Sequence, residues 1–176
     1  MVTIDNLKFE VYIPEDEIKQ KVAEVAARIN KDYADRKPIM IAVLNGVFIF
    51  AADLVRNLTI EHQIHFAKVA SYSGTESTGT VEELIGLSVP LAGRDVIVVE
   101  DIVDTGNTMY HVLERLKDRG AKSVEICTLL SKPGRRQVDL NIKKKCSFGI
   151  VGESGCGKSI TANAILGLLP YPLRVS

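Results

Sequence analysis

The sequence predicts an α/β fold, a parallel β-sheet flanked by helices, and three observations carry it. IMIAVL and DVIVVED are short runs of branched apolar residues with the length and composition of buried strands. Each leads through a tight polar turn into a helical stretch, and each helix is followed by another strand-like segment. Strand, helix and strand in this order make a right-handed crossover, and repeating it puts helices on both faces of a parallel sheet. Ligands of such sheets bind at the carboxyl ends of the strands.

Pro14 followed by Glu-Asp-Glu opens a helix whose apolar positions Ile18, Val22, Val25, Ala26 and Ile29 recur at helical spacing, with an end expected near 33–35. Pro38 leads into the strand IMIAVL, then the turn Asn45-Gly46, then the apolar helix VFIFAADLVRNL. IHFAKVASY alternates as a strand should, SGTESTGT is a loop, and a second strand resumes near Val81 to Leu84. DVIVVED, the turn DTGNT, a helix using Met109, Val112, Leu113 and Leu116, a stop at Gly120 and the strand SVEICTLL complete the series.

The 176 residues are 46% hydrophobic and 25% charged, which suits one globular domain and excludes fibrous and wholly disordered classes. Lysine plus arginine equals aspartate plus glutamate at 22 each, so no bulk field attracts nucleic acid, and none is expected as a partner. The longest apolar runs are too short for a membrane span. The amino terminus does not read as a secretion signal, so a cytoplasmic location is expected. The three cysteines, Cys127, Cys146 and Cys156, have no paired spacing and read as reduced thiols, and His62, His65 and His111 show no ligand spacing.

The chemistry concentrates in VIVVEDIVDTGNTM. Side chains alternate along a strand, so the adjacent carboxylates Glu100 and Asp101 cannot both enter a core, and at least one must face a polar ligand. The turn Asp104-Thr105-Gly106-Asn107-Thr108 precedes a helix, whose free N–H groups and the threonine hydroxyls can surround a phosphate. Carboxylates beside that nest suit a ligand with a phosphate at one end and a ribose diol or a magnesium ion next to it. The plainer alternative is a capped helix after two solvated strand-end acids.

The complete string resembles the phosphoribosyl pyrophosphate signature of the type I phosphoribosyltransferases. With VLNGVFIFAADL, KVASYSGTESTG and CTLLSKPGRR in the same order, residues 8–143 are similar to the hypoxanthine-guanine branch of that family. The resemblance implies the type I phosphoribosyltransferase fold and a magnesium-dependent exchange of pyrophosphate on phosphoribosyl pyrophosphate for a purine base, in a dimer or tetramer. It implies that Glu100 and Asp101 hold the ribose hydroxyls and, directly or not, the magnesium. By the same resemblance Asp104 serves the attacking purine nitrogen as general acid/base, and Thr105, Gly106, Asn107 and Thr108 bind the ribose phosphate. Asn45 and Gly46 fall in the pyrophosphate loop, where the peptide before the glycine is commonly cis, and Asn45 stands where many members have lysine. Ser71 and Tyr72 begin a lid that excludes water from an oxocarbenium-like transition state. Lys143 falls where a lysine donates to the six-position oxygen of the purine.

The texture changes after Lys143, which divides the chain into an expected phosphoribosyltransferase domain, 1–143, and a distinct segment, 144–176. In that segment Gly152 to Ser159 satisfy G-x-x-x-x-G-K-[ST], with Gly152, Gly157, Lys158 and Ser159 at the defining positions, after a strand-like run from Phe148 to Val151. It resembles the start of the ATP-binding subunit of peptide-importing ABC transporters. No acidic residue follows Ser159, so the second acid that nucleotide hydrolysis requires is lacking, and a nucleotide-binding fragment is expected instead. The base-stacking and magnesium-binding segment of the purine enzymes is not recognisable after the junction, which leaves an inactive, regulatory relative as a further alternative.

Overall fold

Pro14 has an extended conformation and sets the start of α1 (Glu15–Asp32), whose first turn carries Glu15, Asp16 and Glu17 to suit the helix dipole. The computed structural model describes residues 2–4, 7–9, 13–73, 80–140 and 148–149. A short antiparallel hairpin of β1 (Val2–Ile4) and β2 (Leu7–Phe9), which the sequence reading did not anticipate, precedes α1. The order then runs β3 (Ile39–Leu44), α2 (Phe48–Arg56), β4 (Gln63–Ser73), β5 (Thr80–Ile85), β6 (Asp95–Val103), α3 (Asn107–Asp118), β7 (Ser123–Ser131), a 3-10 turn at Pro133–Arg135 and β8 (Phe148–Gly149).

The main sheet has the order β5-β4-β3-β6-β7-β8. β3 pairs in parallel with β4 and β6, β6 with β7, and β7 with β8. The expectation of a purely parallel sheet fails at one edge, where β5 runs antiparallel to β4. The connection from Ser73 to Thr80 is far too short for the crossover that a parallel neighbour needs. Beyond Lys143, β8 adds to the same sheet, its Phe148 and Gly149 opposite Leu130 and Ser131. The P-loop positions Gly152, Gly157, Lys158 and Ser159, together with Lys143, lie outside the described residues.

Alternation along the strands divides the core into two layers. On one face Met40, Ala42, Ile97, Val99, Cys127 and Leu129 pack with Val22, Ala26 and Ile29 of α1 and Phe50 and Leu54 of α2. On the other, Ile39, Ile41, Val43, Val96 and Val98 meet Met109, Val112 and Leu116 of α3. Because β3 and β6 are covered on both faces, they read as unbroken apolar runs rather than alternating ones. α2 is shorter than the apolar run VFIFAADLVRNL suggested, and Asn57 turns its side chain back to the Asp53 carbonyl. Gly120, at φ +78°, ends α3 by the left-handed turn expected of it.

Leu54 is fully buried, whereas Ile49 on the same helix is 46% exposed. Leu54→Ala is therefore expected to cost about 2–5 kcal/mol and Ile49→Ala less than about 1 kcal/mol. Urea unfolding of the two variants measures the contrast, and equal losses would contradict the layer assignment.

Candidate active site at the carboxyl ends of the strands

Four neighbouring strands end on the same side of the sheet. There β3 delivers Leu44-Asn45-Gly46, β4 delivers Ser71 and Tyr72, β6 delivers Glu100, Asp101 and the turn 104–106, and β7 delivers Ser131 and Lys132. The backbones of Ser71 and Tyr72 pair with Glu82 and Val81 of β5.

Asp101 is buried, and Glu100 beside it is partly buried. The Asp101 N–H donates to Glu100 Oε1 at 3.2 Å, and the Ile102 N–H donates to Asp101 Oδ1 at 2.9 Å. Burial, followed by the neighbouring Asp101, pushes the Glu100 carboxyl up to about 9. Two carboxyl groups at the end of an apolar strand thus carry a proton at neutral pH that an exposed pair would have lost.

Gly46 lies directly against Asp101. A Cβ at this position would come within 2.8 Å of Asp101 Cγ, so no larger residue fits without displacing the acid. The pyrophosphate-loop expectation needs one correction. The cis peptide joins Leu44 to Asn45, one bond earlier than the peptide entering Gly46. Asn45 is exposed, at the rim of the site.

After β6 the chain makes the turn 104–106, and Gly106, at φ +88°, introduces α3. That conformation favours glycine, and a Cβ there would also stand 3.0 Å from Leu140 Cδ1 and Val138 Cγ2. No side chain caps the amino end of α3, so its first N–H groups are left for a ligand. The turn is braced from the chain that follows β7. The Gln137 N–H donates to the Thr105 carbonyl at 2.9 Å, and Asn107 Nδ2 donates to Gln137 Oε1 at 2.8 Å. Asn107 and Thr108 are exposed on the first turn of the helix.

Asp104 meets two cations that the sequence reading had left without a part. Lys132 Nζ donates to Asp104 Oδ2 at 3.2 Å, and Arg135 Nε lies 3.4 Å from Asp104 Oδ1. The Lys132 side chain is only 4% exposed, and its N–H bonds the Val103 carbonyl at 3.0 Å, which fixes the end of β7 to the end of β6. Arg136 donates to Ser131 Oγ at 2.7 Å and to the Leu140 carbonyl at 3.4 Å, and burial lowers its pKa. The available signal was the basic string Ser-Lys-Pro-Gly-Arg-Arg directly after a buried strand. It lies 28 residues from Asp104, so spacing alone could not join them.

The shift of Glu100 makes a test. Its folded-state value exceeds its ordinary one, so the native protein holds a proton that the unfolded chain releases between about 4.5 and 9. Stability associated with this group is therefore lost as pH rises through that window. Glu100→Gln removes the dependence. The variant should gain stability relative to the parent by at most on the order of 1 kcal/mol per pH unit across the window. Denaturant unfolding at several pH values reads this, and parallel pH profiles would contradict the burial argument.

Comparison with known proteins bears on the whole of this region. The family model for the phosphoribosyl transferase domain matches residues 14–156. Hypoxanthine phosphoribosyltransferase of Salmonella typhimurium is 41% identical over 169 residues, covering 94% of each chain. Hypoxanthine-guanine phosphoribosyltransferase of Bacillus subtilis is 39% identical over 132 residues, covering 74% of this chain and 73% of its own. A crystal structure of a hypoxanthine-guanine phosphoribosyltransferase from Bacillus anthracis, with a HEPES molecule in its active site, superposes with a TM-score of 0.72 at 37% identity, over 82% of this chain and 83% of that one. A buried acidic strand end, an uncapped helix after it and a glycine turn against its aspartate are thus found in a chain that belongs to the phosphoribosyl transferase domain family.

Proposed function

We propose that the protein transfers the phosphoribosyl group of phosphoribosyl pyrophosphate to hypoxanthine or guanine, giving IMP or GMP and pyrophosphate in purine salvage. The observation that carries this reading is the acid pair Glu100 and Asp101 leading into an uncapped phosphate turn, with Gly46 against Asp101. Membership of the family and the names of the relatives support it.

Glu100 and Asp101 take the ribose hydroxyls. Thr105, Gly106, Asn107 and Thr108 take the ribose phosphate at the amino end of α3. Asn45 and Gly46 face the leaving pyrophosphate, and Ser71 and Tyr72 begin the cover that keeps water from the reacting carbon. The bond from the anomeric carbon to the pyrophosphate oxygen breaks as a bond to a purine ring nitrogen forms, and the proton of that nitrogen passes to Asp104. A cation at the six-position oxygen of the base fits this chemistry. The family resemblance gives that part to Lys143, outside the described residues, and Lys132 beside Asp104 is a second lysine suited to it.

The donor set suits magnesium, since Glu100 and Asp101 supply hard oxygen ligands. Among the described residues no group of three or more His, Cys, Asp or Glu could hold a metal ion. When bound, magnesium neutralises the charge of the pyrophosphate group.

The exposed Phe48 on α2 and Phe66 and Ile85 on β4 and β5 suit a homo-oligomer, a dimer or tetramer, that covers them. A cytoplasmic location is proposed with it, and no helix among the described residues is long and apolar enough to cross a membrane. Residues 144–176 are a distinct segment of sequence on this reading, although β8 within it joins the main sheet. Gly152, Gly157, Lys158 and Ser159, outside the described residues, match the P-loop pattern and are proposed to contact nucleotide phosphates.

Incubation with magnesium, phosphoribosyl pyrophosphate and each purine in turn should yield the nucleotide and pyrophosphate in equal amounts, and no product with any purine would overturn the reading. Asp104→Asn should lower kcat about 100-fold while leaving donor affinity within about threefold. Equal losses in turnover and in donor binding would remove Asp104 from proton transfer.

A further inference from the structure

The opposite end of the sheet holds a second concavity. It has a volume of about 370 Å³ and is lined by the residues that enter β3, β4, β6 and β7, among them Asp35, Arg36, Lys37, Arg94, Asp95 and Lys122. The sheet register sets these amino ends level, Ile39 opposite Gln63 and Val96, and Asp95 opposite Ser123. Six residues of β6 separate Asp95 from Asp101, roughly 20 Å at the rise of a strand, so the cavity is separate from the candidate active site.

Its charge is unbalanced. Four of the lining groups are cationic and two are acidic. The acid Asp95 is already engaged, by Ser123 Oγ at 2.6 Å and by Arg36 at 3.7 Å, and Lys37 pairs with Glu61 at 2.7 Å. Among the described residues neither Arg94 nor Lys122 has a carboxylate partner.

The two arginines of this cluster are held by the fold, while the Lys122 side chain is exposed. Arg94 Nη2 donates to the Lys37 carbonyl at 3.0 Å, which leaves the other donors of its fork for a ligand. The Lys122 N–H donates to the Arg94 carbonyl at 2.9 Å, so the two residues share one backbone junction. Arg36 lies over the Tyr33 ring at 5.4 Å. An anion entering here meets an Arg94 guanidinium that is already anchored to the Lys37 carbonyl, beside the exposed ammonium of Lys122.

We propose that this cavity is a second anion site, which takes a small molecule bearing two or more linked phosphates, with the phosphates on Arg94 and Lys122. A fork of guanidinium donors beside an ammonium matches phosphate oxygens, and neighbouring phosphates engage both cations at once.

The test is a titration of the full-length, isotope-labelled protein with inorganic tripolyphosphate, read by amide chemical shifts. Gly93, Arg94 and Lys122 report the cavity, and Gly106 and Asn107 report the carboxyl-end site. Saturable shifts at the first group, weakened at least tenfold in Arg94→Gln/Lys122→Gln and retained in Asp104→Asn, are the expected result. Shifts confined to Gly106 and Asn107, or a response at Gly93 that stays linear to high concentration, would overturn the proposal. So would an unchanged midpoint in a double variant whose spectrum shows it folded. The parent titration decides the matter even if that variant does not fold.

Discussion

Keeping acid at the buried end of a central strand is the constraint on which the candidate site depends. β6 is covered on both faces up to Val99, and the next two residues are Glu100 and Asp101. A carboxyl group there loses much of its hydration, and the consequence is visible in the upward shift of Glu100. Backbone N–H groups of the same strand answer part of the demand, through Asp101 to Glu100 and Ile102 to Asp101. The absent side chain at Gly46 answers another, by letting the turn after β3 close upon Asp101.

The rest of the site is braced outward from that point. Lys132 links β7 to β6 twice, by its N–H to the Val103 carbonyl and by its ammonium to Asp104. Gln137 holds the carbonyl of Thr105, and Val138 and Leu140 close against Gly106. Charge-assisted bonds between partly buried groups are short of solvent competition, so they fix the geometry of a turn that would otherwise be mobile. The phosphate turn is thus supported by residues about 30 positions later in the chain.

The two ends of the sheet differ in electrostatic character. Where the strands finish, Glu100, Asp101 and Asp104 meet Lys132 and Arg135, whereas in the cavity where they begin four cations face two acids. Parallel pairing produces this separation, because it brings the entry residues of four strands to one side and their exits to the other.

Most of the layered fold was legible in the chain, because buried parallel strands and amphipathic helices write their burial into composition and period. The series from α1 to β7 was readable for that reason, as was the acidic turn, whose residues are contiguous: Glu100, Asp101 and 104–108. Tertiary structure alone decided the contacts between distant segments: Gly46 with Asp101, Lys132 with Asp104 and Gln137 with Thr105. It also decided the antiparallel edge at β5 and the cationic cavity, whose lining comes from four separate strand entries. The physical reason is the same in each case. Local pattern records which face of a segment is buried, while pairing between segments depends on how the layers stack once the chain has closed upon itself.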